Sequence, residues 1–337
     1  MSHFSVLVVS SERPTHEVLK AILQPWHEFE CTGIDDQYVQ DVDRTKEAIE
    51  HCAGRDNKEE SIADALEGWY GWKAIGPDEV PSMTGEHQYG YVRLNAEGGI
   101  MQAIDRTNPN KKWDWWVLGG RWKGMLRMSA AGEVRHVETT KEALDRRTLQ
   151  GEPGLMGSAY SDSPSAIDIC QRRDLDIAGM KAEAVAKRRE AWRSTVEAAK
   201  NAGVFTDEAA LDDLRRQHAL ASAAEVERFK VTPGVDRRAH YKEHMPAHLA
   251  ELDDVFDYLI WPRTTKADKP IREWMDAAPA LQTFAVVKDG QWVERGSMGW
   301  FGCVTDEKDE DAWGAAFAKM LDAIPGDHWL AVVDCHI

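Results

Sequence analysis

The sequence predicts an α+β fold in which a mostly antiparallel sheet, formed from both chain ends and two hairpins, carries packed helices and a long helical insertion. Nearly continuous apolar runs at His3–Ser10 and Trp329–His336 are typical of strands covered on both faces. The pairs Gly119-Gly120 and Asp289-Gly290 each separate runs rich in aromatic or branched residues, which is typical of type I′ hairpin turns. From about 140 to 262, Ala, Arg, Lys and Glu form long helix-forming runs instead.

An apolar stripe that ends before Pro25 predicts a helix after the first strand. A second, amphipathic helix is predicted around 62–69 and a strand at 89–94. Acidic residues at the start of 310–321 favour a helix there, because they suit the positive end of the helix dipole. The first stripe consists of Val18, Leu19, Ile22 and Leu23.

The change in composition predicts how the chain is divided. Residues 1–135 and 266–337 are predicted to form the sheet domain, and 136–265 a mainly helical insertion. Gly, Ser and Pro in 151–165 indicate a loop or hinge. The clearest helix of the insertion is expected to stop at Asn201-Ala202-Gly203.

Pairing Leu118 with Arg121 across the first glycine turn divides that predicted hairpin into two faces. The first is a core face, with Trp113, Trp115, Val117, Trp122, Leu126 and Met128. The second combines Leu118 with polar and aromatic residues. A Trp ring stacks on flat molecules and Arg pairs with phosphate or carboxylate, so this face predicts a ligand platform, with a protein contact or cover by a helix as alternatives. The ligand-binding candidates are Asp114, Trp116, Arg121, Lys123 and Arg127.

Composition excludes several functional classes. The 337 residues carry a formal charge of −17, which argues against non-specific binding to nucleic acid or to an anionic membrane. Five scattered cysteines without a CxxC pair suggest neither a disulfide framework nor a zinc ribbon. The first residues lack the basic and the long apolar regions that are typical of a signal peptide, and no apolar stretch is long enough for a membrane span. We therefore expect a cytoplasmic protein with reduced thiols and no cofactor, and the oligomeric state stays open.

Two segments hold candidate metal ligands. His240 and His244 match the H-x-x-E-H pattern of inverted zinc peptidases, although Pro246 disfavours a helix through the motif, and surface histidines before a later helix are the alternative. An acidic and apparently irregular stretch from Glu28 to Asp43 includes Asp35 and Asp36, and the oxygens of these carboxylates suit Mg²⁺ or Ca²⁺. It lacks EF-hand spacing, so a solvated loop is the alternative.

The chain end supplies candidate catalytic residues. Alternation along the last strand places Asp334 and His336 on one side and Cys335 on the other, so this tripeptide alone forms no Cys-His-Asp triad. Cys303 supplies a thiolate to His336 if their strands are neighbours. A buried thiol and a hydrogen-bonded terminal histidine are the alternative. The catalytic candidates are Cys303, Asp334 and His336.

Several segments form a recognisable set: HFSVLVV at the start, HEFECTG at 27–33, WDWWVLGGRWKG at 113–124, DGQWVERGSMGWFGC at 289–303, and VVDCHI at the end. Together they resemble a family of uncharacterised proteins encoded by tailed bacteriophages and prophages. The resemblance implies a viral origin and action in the cytoplasm of a bacterial host. It implies no particular activity.

The sequence therefore predicts a phage-encoded cytoplasmic accessory protein that binds a host protein or a small anionic, nucleotide-like ligand and counters host defence. The defence role rests on the resemblance alone. A hydrolase or nucleotide-modifying enzyme, using Cys303 with His336 or a metal at the acidic loop, is the alternative function. A virion or assembly component is a third, less favoured by the absence of repeats and coiled coil.

Overall fold

A computed structural model describes the backbone of residues 2–28, 36–54, 60–82, 84–135, 166–230, 246–250, 252, 255, 269–299 and 303–337. The fold is α+β, as predicted. Its strands are β1 (His3–Ser10), β2 (Gln40–Asp43), β3 (Lys73–Ile75), β4 (Gly90–Leu94), β5 (Ile100–Thr107), β6 (Trp115–Leu118), β7 (Leu126–Arg127), β8 (Ala166–Ile167), β9 (Ile169–Gln171), β10 (Ala285–Lys288), β11 (Gln291–Glu294), β12 (Ser297–Met298), β13 (Val304–Thr305) and β14 (Trp329–His336). Its helices are α1 (His16–Leu23), α2 (Thr45–Ala53), α3 (Ile62–Tyr70), α4 (Ala130–Arg135), α5 (Ile177–Asn201), α6 (Glu208–Lys230), α7 (Ala247–Ala250), α8 (Ile271–Asp276) and α9 (Glu310–Asp322).

The central sheet has the strand order β11-β10-β1-β14-β6, and β9 also pairs with β14. β1 and β14 are antiparallel neighbours over their whole length, from the pair His3–His336 to the pair Ser10–Trp329. The two chain ends therefore lie side by side in one sheet, as their continuous apolar runs predicted. β1 pairs in parallel with β10 on its other edge, so the sheet is mixed.

Helices cover both faces of the central sheet. Along β1, Leu7 and Val9 point to a core that includes Trp313 and Phe317 of α9. We call this side the α9 face. The alternate residues of β1 point to a second core with Leu19 and Leu23 of α1, on the α1 face. Burial of each such Leu or Phe side chain contributes roughly 1.5–3 kcal/mol, so both faces stabilise the sheet.

The second predicted hairpin is confirmed. β10 and β11 are antiparallel, and Lys288 pairs with Gln291 across the turn. Asp289 and Gly290 both have positive φ, 52° and 71°, as a type I′ turn requires.

The first predicted hairpin is wrong. β6 pairs with β14, and the chain then enters a 3-10 helix at Gly120–Trp122 instead of returning along β6. Gly119 extends the pairing with β14, because its N–H donates to the carbonyl of Val332 at 2.8 Å. The later strand, β7, pairs with β8. β6 pairs with the apolar strand β14 instead of with the residues after the turn. The two glycines allow a close approach of the backbone to buried carboxylates, which is described with the candidate site.

A second sheet, with the order β2-β5-β4-β3, was not predicted beyond the strand near 89–94. Its small core joins α2 and α3 to the strands through Leu66, Trp72, Val92 and their buried neighbours. β2 lies where the sequence suggested an irregular acidic loop. Its side chains are mostly exposed, so its sequence carries no apolar alternation.

Helices α5 and α6 of the helical segment share a core around Trp192, Leu211 and Ile271 with α8, which lies in the range predicted for the sheet domain. α5 ends at Asn201, as predicted. β8 and β9 fall within the range 136–265 but pair with β7 and β14 of the sheet region, because AIDICQ is a short apolar strand sequence. The segment 151–165 lies outside the described residues, and independence of the helical segment stays a prediction. No described helix is long and apolar enough to cross a bilayer.

Candidate functional site

Two histidines and two aspartates come together where the two chain ends meet. His3 and His336 are directly opposed on β1 and β14, and Asp334 lies two residues earlier on β14. Asp114 and Trp115 stand at the start of β6, the next strand. Strand alternation puts His3, Asp334 and His336 on the side of the sheet that carries the α9 face. We call these five residues the two-histidine cluster.

Each histidine of the cluster is paired with its own carboxylate. His3 Nδ1 lies 2.9 Å from Asp334 Oδ1, and His336 Nδ1 lies 2.7 Å and 3.0 Å from the two oxygens of Asp114. An ionised carboxylate only accepts hydrogen bonds, so both Nδ1 atoms donate. In the neutral imidazole, the Nε2 atom then carries the free lone pair on each ring.

Three aromatic rings pack tightly in the cluster. Trp115 stacks on His336 with ring centres 4.9 Å apart and planes 14° apart. His3 meets both rings edge-on, at 5.0 Å from His336 and 5.2 Å from Trp115. The side chain of His336 is only 7% exposed. Its Nε2 atom is buried and has no hydrogen-bond partner among the residues that the structure describes.

The glycine pair after β6 lets the backbone approach two buried carboxylates. The N–H of Arg121 donates to Asp334 Oδ2 at 2.9 Å, so Asp334 bridges this turn and His3. A Cβ atom on Gly120 would overlap the Asp334 side chain, and one on Gly119 would overlap Asp168. Both glycines have positive φ. The pair is therefore required for close approach, rather than for the hairpin that its composition suggested.

A pocket of about 450 Å³ opens beside the cluster on the α9 face, between α5, the segment 278–284 and the central sheet. Ser5, the cross-strand neighbour of Asp334, contributes to its wall. The cationic side chains that line it are Arg127, Lys187, Arg188 and Arg295, and the described carboxylates are Glu183 and Glu310. Apolar lining comes from Met125, Met180 and Leu281.

The predicted ligand-binding residues do not share one surface, because the hairpin that grouped them is absent. Asp114 belongs to the two-histidine cluster, and Arg127 lines the pocket. Trp116 is half-buried on the α1 face, where it stacks on His16 with ring centres 5.3 Å apart. Arg121 and Lys123 are exposed around the 3-10 turn. Ligand binding at these positions stays a prediction.

Of the catalytic candidates, Asp334 and His336 enter the cluster, while Cys303 is exposed next to β13. The Cys303 carbonyl accepts from the N–H of Gly299. Cys335 points to the α1 face, as strand alternation predicted. Burial, with help from the Asp334 and Asp114 carboxylates, raises the pKa of the Cys335 thiol well above its ordinary value.

Most of the candidate metal ligands lie outside the described residues, so metal binding by them stays a prediction. His240, His244 and Asp35 lie outside the described residues, and the side chain of Asp36 is likewise outside them. Glu28 forms an ion pair with Lys111 at 2.6 Å. In the described ranges, no group of three or more His, Cys, Asp or Glu side chains is arranged to hold a metal ion.

Sequence reasoning missed His3, because a single histidine at the edge of an apolar run has no local signal. The register of the first and last strands is the only feature that brings it to His336.

Comparisons with protein-family models, with curated proteins and with solved structures found no match. The resemblance to phage proteins therefore stays a prediction.

Proposed function

We propose that the protein binds a small anionic, nucleotide-like molecule in the pocket between α5 and the central sheet. The observation that supports this is the charge of the lining. A chain with a formal charge of −17 places Arg127, Lys187, Arg188 and Arg295 around one concavity, against two described carboxylates. The volume, about 450 Å³, is that of small-molecule sites.

The cations are held in position before any ligand arrives. The guanidinium of Arg188 lies 4.4 Å from the centre of the Trp274 ring and 3.5 Å from Glu310. Arg127 lies 3.4 Å from Glu183, and Lys187 lies 2.9 Å from the same carboxylate. Partly exposed ion pairs of this kind contribute about 0–1 kcal/mol each, so a phosphate displaces the carboxylates at low cost. Arginine then binds it through two parallel hydrogen bonds.

The apolar part of the lining suits a flat ring. Met125, Met180 and Leu281 belong to the core of the α9 face and line the pocket. Methionine side chains pack well against aromatic rings. A ligand with an aromatic base on the apolar side of the pocket and an anionic group among the cations fits this lining. A nucleotide-like molecule has both parts. A host-protein partner and a role against host defence enter this proposal only through the viral resemblance.

Calorimetric titration tests the proposal with ATP, GTP, cyclic dinucleotides, ADP-ribose and inorganic phosphate as probes. We expect saturable binding of at least one nucleotide and a loss of about tenfold or more in affinity in Arg188→Gln, because a hydrogen bond to a charged group contributes roughly 1.5–3 kcal/mol. Arg189→Gln is the matched control, since Arg189 is the next residue of α5, is 57% exposed and pairs with Asp276. Failure of every probe to bind, or equal losses in the two variants, would contradict the proposal.

A further inference from the structure

We infer that His3 and His336 form a binding site for a divalent transition-metal ion, which the two Nε2 atoms coordinate. The two residues occupy directly opposed positions on neighbouring antiparallel strands, so their side chains leave the same face of the sheet together. Their ring centres are 5.0 Å apart. Two nitrogens on one ion lie about 3 Å from each other, because each bond is about 2.0–2.1 Å long, and this ring spacing permits that separation.

The partners of the two Nδ1 atoms support metal binding. Histidine ligands of metals almost always donate their other N–H to a carboxylate, a carbonyl or water, which fixes the tautomer and makes the coordinating nitrogen more basic. Asp334 does this for His3, and Asp114 does it for His336. Asp334 is itself fixed by the N–H of Arg121, and its side chain is 2% exposed. The orienting groups of both histidines are therefore already in place.

An independent observation points to a ligand at the same place. The Nε2 atom of His336 is buried and lacks a hydrogen-bond partner within the described part of the chain, on a side chain that is 93% buried. A buried acceptor left in this state is unfavourable, because no hydrogen bond offsets its loss of contact with water. A metal ion that binds this lone pair supplies the missing partner, and the ring stays neutral.

The donor atoms select the class of metal. Imidazole nitrogen suits Cu²⁺, Ni²⁺ and Zn²⁺, whereas Mg²⁺ and Ca²⁺ require oxygen ligands. Two protein nitrogens leave the remaining coordination positions to water or to a small ligand, as in sites that bind an exogenous molecule. This inference uses none of the cations that line the pocket, so it stands or falls separately from the proposed nucleotide site.

The test is a metal titration of tag-free protein. The backbone of Ser2 bonds to that of Ile337 in both directions, at 3.1 Å, so a histidine tag on either terminus would lie beside the cluster. Cu²⁺, Ni²⁺, Zn²⁺ and Mg²⁺ are added separately and followed by calorimetry and native mass spectrometry. We expect one bound ion per chain with Cu²⁺ tightest and no saturable binding of Mg²⁺. Electron paramagnetic resonance of the Cu²⁺ form should show coupling to two imidazole nitrogens.

Variants assign the ion to the cluster. His3→Gln and His336→Gln should each weaken Cu²⁺ and Zn²⁺ binding at least tenfold, with one nitrogen coupling lost. His328→Gln is the matched control, because His328 also pairs with an aspartate through Nδ1, at 3.3 Å from Asp327, yet stands outside the cluster. If the more buried His336 variant does not fold, His3→Gln decides the question alone. Absence of a bound ion in the wild type, or unchanged affinity in the folded variants, would overturn the inference.

Discussion

Gly120 sets how closely the 3-10 turn approaches Asp334, and through Asp334 it sets the position of His3. Its φ of 48° lies in the left-handed region, where a Cβ atom is strained. That Cβ would also overlap a carboxylate which already bonds the Arg121 N–H and the His3 ring. Because Gly120 has no side chain, the 3-10 turn, β14 and β1 can meet at Asp334.

Gly120→Ala should therefore lower the free energy of unfolding by about 2–4 kcal/mol, from backbone strain and overpacking together. Chemical denaturation measures the change. Gly68→Ala is the control, because Gly68 lies inside α3 with nothing within 4 Å of an added Cβ, and alanine there should stabilise by about 0.5–1 kcal/mol. Equal effects of the two substitutions would show that the close approach at Asp334 is unimportant.

Among the elements, β14 is the one on which the central sheet depends. It pairs with β1 and β6 on its two edges and with β9 at its start, and seven of its eight residues are buried. Removing it would expose an edge of β1 and would uncover both helical faces.

Deletion of Leu330–Ile337 should accordingly abolish soluble folding, as judged by circular dichroism and by the loss of a cooperative thermal transition. Deletion of Ile337 alone is the control, since it removes the backbone bonds to Ser2 and the packing of one half-buried side chain but leaves every strand intact. A cooperative melt that survives the longer deletion would refute the central role of β14.

The elements that were predicted correctly have a sequence pattern that a few consecutive residues contain. The apolar runs of β1 and β14 and the Asp289-Gly290 turn are local. The exposed strand β2 has no such signal, and the glycine pair after β6 has one that indicates the wrong structure. At the site, Asp334 and His336 were found from strand alternation. His3 was not, since its partner stands at the other end of the chain.

At the scale of the whole molecule, the described residues build cores of unequal size. Those on the two faces of the central sheet are extensive, whereas those of the second sheet are small. They consist of Ala48, Leu66, Trp72, Val92 and Ala103 with a few half-buried neighbours, and of a separate cluster of Ile75, Tyr91 and Ile104. The stability of a region follows the apolar contacts that must break when it opens. The second sheet should therefore open more readily than the central one.

Hydrogen exchange followed by mass spectrometry tests this order. Peptides that contain β4 and β5 should exchange faster than those that contain β1 and β14, although all four strands are paired on both sides or nearly so. Adding denaturant below the unfolding midpoint should widen the difference. Equal protection in the two sheets would mean that they open as one cooperative unit.

The pairing of β1 with β14 also fixes the order of events when the protein is made. β1 is central in its sheet, and its antiparallel neighbour β14 is synthesised much later, since 331 positions separate His3 from Asp334. Until then β1 has an unpaired edge of apolar residues, and closing the loop between His3 and His336 carries an entropic cost before any of those contacts form. The central sheet is therefore completed only after β14 has been made, and until that point β1 exposes apolar surface of the kind that makes incomplete chains prone to aggregate.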